Sequence, residues 1–164
     1  MENQDTIYLL KECDAGSKMA VSSIDDVINQ VNDNNLKAIM EKSKRHHTKL
    51  GNDIHSLLNK YDAEDKDPNP MAKGMSWMKT NMKMMMDGND HTIADLMTDG
   101  CNMGIKSLYK YMNQYPAANQ KVMDLCTDLI AIEEELQRDL RDYLLKGETE
   151  KSCRNVNGSF FRLF

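Results

Sequence analysis

Between Leu36 and Tyr61 one set of apolar residues stands at Leu36, Met40, Leu50, Ile54, Leu57 and Tyr61. Their gaps become alternating steps of four and three once Ser43 and His47 are counted as the missing positions. Steps of three and four keep side chains on one face of an α-helix. The spacing therefore predicts a helix whose seam is apolar at both ends and polar at its middle. One amphipathic helix cannot bury its own seam, so further helices must cover it.

The same step recurs along the chain. Leu10, Cys13, Ser17, Ala20, Ile24, Val27 and Val31 predict a first helix over 4–32, with Asn3 or Asp5 as its cap. The turn formers Asn32-Asp33-Asn34-Asn35 end it, and the second helix follows at once as the return arm of a hairpin. Met97, Cys101, Ile105, Leu108, Met112 and Tyr115 mark a third helix over 91–115. Val122, Cys126, Leu129, Glu133, Leu136, Leu140 and Tyr143 mark a fourth over 118–146, which Gly147 is expected to end. The three prolines lie at 68, 70 and 116, outside every one of these runs.

The connection between the second and third helices sets the expected topology. A helix of about 26 residues is roughly 39 Å long. Segment 62–90 can travel back along that length if a short helix occupies about 70–86. Asp87-Gly88-Asn89-Asp90 would stop that helix and cap the next. Two antiparallel hairpins joined by such a crossover make an all-α, ferritin-like four-helix bundle. An internal repeat agrees with two similar hairpins. Cys13-Asp-Ala-Gly16-Ser-Lys18 and Cys101-Asn-Met-Gly104-Ile-Lys106 share the pattern Cys-x-x-Gly-x-Lys, and in the matching register His47 falls opposite Glu133. The expected division is a bundle over 1–147 and a tail over 148–164 that ends in Phe160, Phe161 and Phe164.

Charge and composition exclude several classes. A net charge of −5 argues against a nucleic-acid partner, which needs a basic face. No twenty-residue apolar run exists to span a membrane. The acidic start, Met-Glu-Asn-Gln-Asp, lacks the basic character of a secretion signal, so a cytoplasmic location is expected. Cys13, Cys101, Cys126 and Cys153 are too far apart in sequence for a zinc ribbon or redox pair, and reduced thiols are expected. The acidic run after Tyr61 lacks the glycine and terminal glutamate of an EF-hand loop.

The crossover carries the piece Gly74-Met-Ser-Trp77-Met78-Lys79, followed by Asp87-Gly88-Asn89-Asp90. Asp14-Ala-Gly16 and Asp99-Gly100-Cys101-Asn102 place acids and glycines at helix centres. In these motifs and their order, about residues 5–145 resemble a bacterial family of ferritin-like four-helix proteins of unknown function. The resemblance implies an ancestral fold that held iron.

The ligands for such a metal are missing from the sequence. A di-iron bundle needs a carboxylate on each of two helices and Glu-x-x-His on each of the other two. The histidines lie at 46, 47, 55 and 91, and the residues three before them are Ser43, Lys44, Asn52 and Gly88. What remains at the expected centre is a buried polar layer of Ser17, Ser43, His47 and Glu133. His47, Glu133 and Cys101 are weak metal candidates, since one imidazole and one carboxylate are too few for tight binding. His46 and His55 are expected to face solvent, as is the run Lys42-Ser-Lys44-Arg45. Met71, Met75, Met78, Met82 and Met85 or Met86 recur around Trp77 and read as adaptable packing, although thioether copper binding has the same signature.

The expectation is a non-enzymatic bundle that has no cofactor and works by self-association, as a dimer, or with a protein partner. Two alternatives stand beside it. One is a ferritin-like oxidoreductase with a reduced iron site. The other is a carrier of a small apolar ligand in the bundle core.

Overall fold

The computed structural model describes the backbone of residues 1–63 and 89–160, and the side chains of 1–63 and 89–144. The expected crossover helix, the methionine stripe around Trp77 and the aromatic side chains of the tail lie outside the described residues. The rest is all-helical. Helix α1 spans Gln4–Val27 and runs into a 3-10 turn, Ile28–Gln30. Helix α2 spans Asn34–Lys60, α3 spans Asp90–Gln114 and α4 spans Gln120–Phe160. Among the described residues there is no strand, and no helix is long and apolar enough to cross a membrane.

Each helix starts at an Asn or Asp whose side chain accepts the amide hydrogens that the first turn leaves unpaired. Asn3 accepts from Thr6 N, Asp33 from Asn35 N and Leu36 N, and Asn89 from Thr92 N. Asn119 accepts from Val122 N at 3.0 Å. After α2 the chain turns through Asp62, whose φ of 53° lies in the left-handed region that a short polar side chain tolerates.

The stop expected at Gly147 is not observed, because α4 continues to Phe160. A glycine ends a helix by adopting a left-handed conformation, and among the described residues no glycine has a positive φ. Within a helix one glycine costs only about 1 kcal/mol relative to alanine, and no proline follows to enforce the break.

Polar clamps join the helices at both ends of the bundle. At one end the Asp90 carboxylate accepts the amides of Asn32 and Asp33, each at 2.8 Å. Tyr143 donates to Asp33 at 2.8 Å, and a ring nitrogen of His91 lies 3.0 Å from the Tyr143 carbonyl. At the other end, Asp5 accepts from Ala117 N at 3.0 Å and Asn3 donates to Ala117 O at 2.7 Å. Thr6 is fully buried there, and its hydroxyl accepts from Asn119 N at 2.8 Å.

Tyr143 makes one clamp sensitive to pH. Burial and the neighbouring Asp33 carboxylate push its phenol up to about 12 from an ordinary value near 10. A group whose folded value is raised contributes fully below its unfolded value and loses that contribution as pH climbs to the folded one. Stability is therefore expected to decline between pH 10 and about 12. Tyr143→Phe should cost roughly 1–2 kcal/mol at pH 7 and flatten that decline, as read by urea unfolding across pH.

The apolar core falls into two clusters. One gathers Ile24, Val27, Leu36, Met40, Met97, Leu136, Leu140 and Tyr143 near the Asp90 clamp. The other gathers Leu9, Leu10, Ile54, Leu58, Leu108, Val122 and Leu129 near the Thr6 clamp. Burying each such side chain stabilises the fold by roughly 1.5–3 kcal/mol. The buried polar residues of α1, α2 and α4 that lie between the two clusters in sequence are Asp14, Ser17, Ser43, His47 and Glu133.

Candidate functional site

Ser43 and His47 are one helical turn apart on α2, so both face inward. Facing them, α4 presents Glu133 in a run of three glutamates, and the helix phase that buries Ile130 and Leu136 buries Glu133 with them. Glu134 on the opposite phase is exposed. His47 is 0% exposed and Glu133 is 8% exposed.

The hydrogen-bond pattern fixes where the protons sit. His47 Nδ1 lies 2.9 Å from the Ser43 carbonyl oxygen, which can only accept, so Nδ1 carries a hydrogen. The Ser43 hydroxyl lies 3.3 Å from the same nitrogen. On the other side of the ring, His47 Nε2 lies 3.0 Å from Glu133 Oε1. That contact needs one proton between the two atoms, because a bare imine nitrogen and a carboxylate oxygen would repel. The pair is therefore either imidazolium with carboxylate or imidazole with carboxylic acid. Both ring nitrogens are used in either case.

Cys101 on α3 is 2% exposed and lies beside Glu133. Burial and the Glu133 carboxylate push its thiol far above the ordinary range, so it stays protonated. A thiol in that state is a poor nucleophile and a poor metal ligand. In native protein, iodoacetamide is expected to leave Cys101 unmodified and to label it fully in urea, as read by peptide mass mapping.

Of the four residues expected in the polar layer, Ser43, His47 and Glu133 are joined by hydrogen bonds. Ser17 is buried but bonds within its own helix, donating to Asp14 O at 3.0 Å. It also seats α1 against α2, since a Cβ at Gly51 would lie 3.0 Å from Ser17 Oγ. Asp14, the acid nearest the centre of α1, is 1% exposed and pairs with Lys18 one turn along at 2.6 Å. Sequence reasoning did not pair these two, although Asp and Lys at i and i+4 are the usual signal.

The other two histidines of α2 are partly covered. His46 is half-buried and lies 3.4 Å from Glu135, beside the Lys42–Glu135 ion pair that links α2 to α4. That ion pair holds the Glu135 carboxyl below its usual range, with Lys42 as the main cause. His55 is also half-buried. Both sit at the flanks of the seam, His46 on the side that faces the last helix.

A second thiol contact was not foreseen. Cys13 on α1 and Cys126 on α4 are both fully buried and neighbour each other, and the Cys126 thiol donates to the Leu108 carbonyl at 3.9 Å. Cys13, Cys101 and Cys126 are free thiols.

The centre does not fit a di-iron group. Among the described residues, no three His, Cys, Asp or Glu side chains lie together in a way that could hold a metal ion. His47, Glu133 and Cys101 do lie side by side, but the proton between Nε2 and Glu133 occupies the ring nitrogen that would have to face an ion, and the thiol stays protonated. No family model, curated protein or solved structure matches this chain.

Proposed function

We propose that this chain is a non-enzymatic, ferritin-like four-helix bundle whose iron ligands are gone and which acts by association with itself or a protein partner. The ferritin-like order is supported by the pairing of ends. Helix α2 finishes where the Tyr61 hydroxyl lies 3.3 Å from Asn119, beside the start of α4. Helix α3 starts at the opposite end, where Asp90 holds the turn between α1 and α2. On this reading α2 and α3 run parallel, the order of a one-crossover bundle.

The observation that carries the non-catalytic reading is the His47–Glu133 bond. At the centre of a metal-holding bundle, imidazole and carboxylate lone pairs converge on an ion. Here they are joined to each other through a proton, which leaves a device for fixing helix register in place of a reactive centre. Register-setting is the best-attested use of a buried polar contact.

Two measurements test the proposal. Protein grown with added iron is expected to hold no stoichiometric metal by elemental analysis; one or two ions per chain would overturn the non-enzymatic reading. Light scattering on the full chain and on residues 1–147 is expected to show a dimer in at least the full chain. A monomer in both would overturn association with itself.

A further inference from the structure

Charge is distributed unevenly over this acidic protein. Helix α2 carries Lys37, Lys42, Lys44, Arg45, Lys49 and Lys60 against only Glu41 and Asp53, within a chain of net charge −5. The basic residues are not spread around the helix. Lys37, Lys44, Arg45 and Lys49 recur at helical spacing and line one wall of a groove whose volume is about 660 Å³. Ile28 and Asn29, in the 3-10 turn after α1, form the facing wall.

Lys44 is engaged by Asp25 of α1 at 2.5 Å, which braces it at the groove edge. Lys37, Arg45 and Lys49 have no ion-pair partner among the described residues. Glu41 is the groove's one acid, four residues from both Lys37 and Arg45, yet paired with neither. Thr48 and Asn52 continue the same wall with neutral hydrogen-bonding groups.

We propose that this groove is a binding site for a small, multiply charged anion bearing phosphate groups. Its volume falls within the usual range for small-molecule sites, roughly 300–1,000 Å³. Arginine forms paired hydrogen bonds to phosphate oxygens, and the flanking lysines add point charges that follow a second or third anionic group. Concentrating positive charge on one groove of an otherwise acidic surface also steers such an anion there and away from the rest of the molecule. The site lies on the outer face of α2, on the side away from the buried His47–Glu133 pair, and does not depend on how that pair is read.

Inorganic tripolyphosphate is a suitable probe, titrated into the full chain by calorimetry at low salt and again at physiological salt. One saturable site per chain is expected, weaker at the higher salt. The combined variant Lys37→Gln, Arg45→Gln, Lys49→Gln should weaken binding by at least about tenfold, through loss of charge-assisted hydrogen bonds. A control with as many neutralised cations outside the groove, Lys11→Gln, Lys106→Gln, Lys110→Gln, should change it by less than about twofold, since none of the three lines the groove and solvent screens exposed charges. Glu41→Gln should strengthen binding severalfold, because it removes the groove's own repulsion.

Absence of saturable binding, equal losses in the two triple variants, or a Glu41→Gln variant that binds no better would each overturn the proposal. Co-sedimentation with vesicles of anionic phospholipid, without binding of tripolyphosphate, would overturn it in favour of a membrane surface.

Discussion

His47→Leu is expected to destabilise the bundle by roughly 3–5 kcal/mol, the usual penalty for stranding one member of a buried polar or ionic pair. The imidazole is fully buried, and its removal leaves the buried Glu133 without the partner that shares its proton. Glu133→Leu should cost a similar amount for the mirror reason, since Nε2 then loses its acceptor. The double variant His47→Leu, Glu133→Leu should recover most of the loss, because two apolar groups need no proton between them. Urea midpoints of the wild type, two singles and double form a complete cycle, and additive losses would refute the coupling. The double variant also reports on register. If the polar pair selects one alignment of α2 against α4, its loss should leave a stable protein with broadened amide resonances.

Leu58→Ala is expected to cost about 3 kcal/mol, within the range for emptying a fully buried leucine site. Leu58 is 0% exposed in the cluster near the Thr6 clamp. Ile24 is 0% exposed in the other cluster, and Ile24→Val should cost about 1 kcal/mol. The two residues share no cluster, so the combined variant should lose the sum of the two within about 0.5 kcal/mol. A larger departure from additivity, measured by urea unfolding, would show that strain crosses from one cluster to the other.

Much of the helical framework was legible from residue type and spacing. Asn3 and Asn89 are caps because a short side chain with an acceptor, set before an apolar run, has few better uses than the open first turn. The seam residues Leu10, Cys13, Ile24, Val27, Leu36, Met40 and Leu140 are buried as their three–four steps require. Asp5 shows where that reasoning runs out. It was an equal candidate for the first cap, but it binds Ala117 N from across the bundle, a contact no local pattern encodes.

The end of α4 is a second example. Glycine signals a possible stop, but the choice between stopping and continuing rests on the backbone conformation it adopts. The central residues are a third. Spacing put His47 and Glu133 at corresponding places on two helices, and chemistry said a buried acid needs a partner. Neither told which ring nitrogen faced α4, nor that Ser17 would turn back to its own helix while Cys101 joined Glu133.

The amino-acid order by itself determined that this protein is helical, where three of its four described helices begin, which faces are apolar, and that no Glu-x-x-His pair is available to hold iron. These follow from interactions reaching at most one helical turn. The tertiary structure alone decided the partners: the shared proton of His47 and Glu133, the thiol contact of Cys13 and Cys126, the clamps at Asp90 and Thr6, and the groove that gathers the cations of α2 beside the turn after α1. Those pairings depend on how each helix is rotated and shifted against its neighbours, and that is set by the summed packing of the whole core.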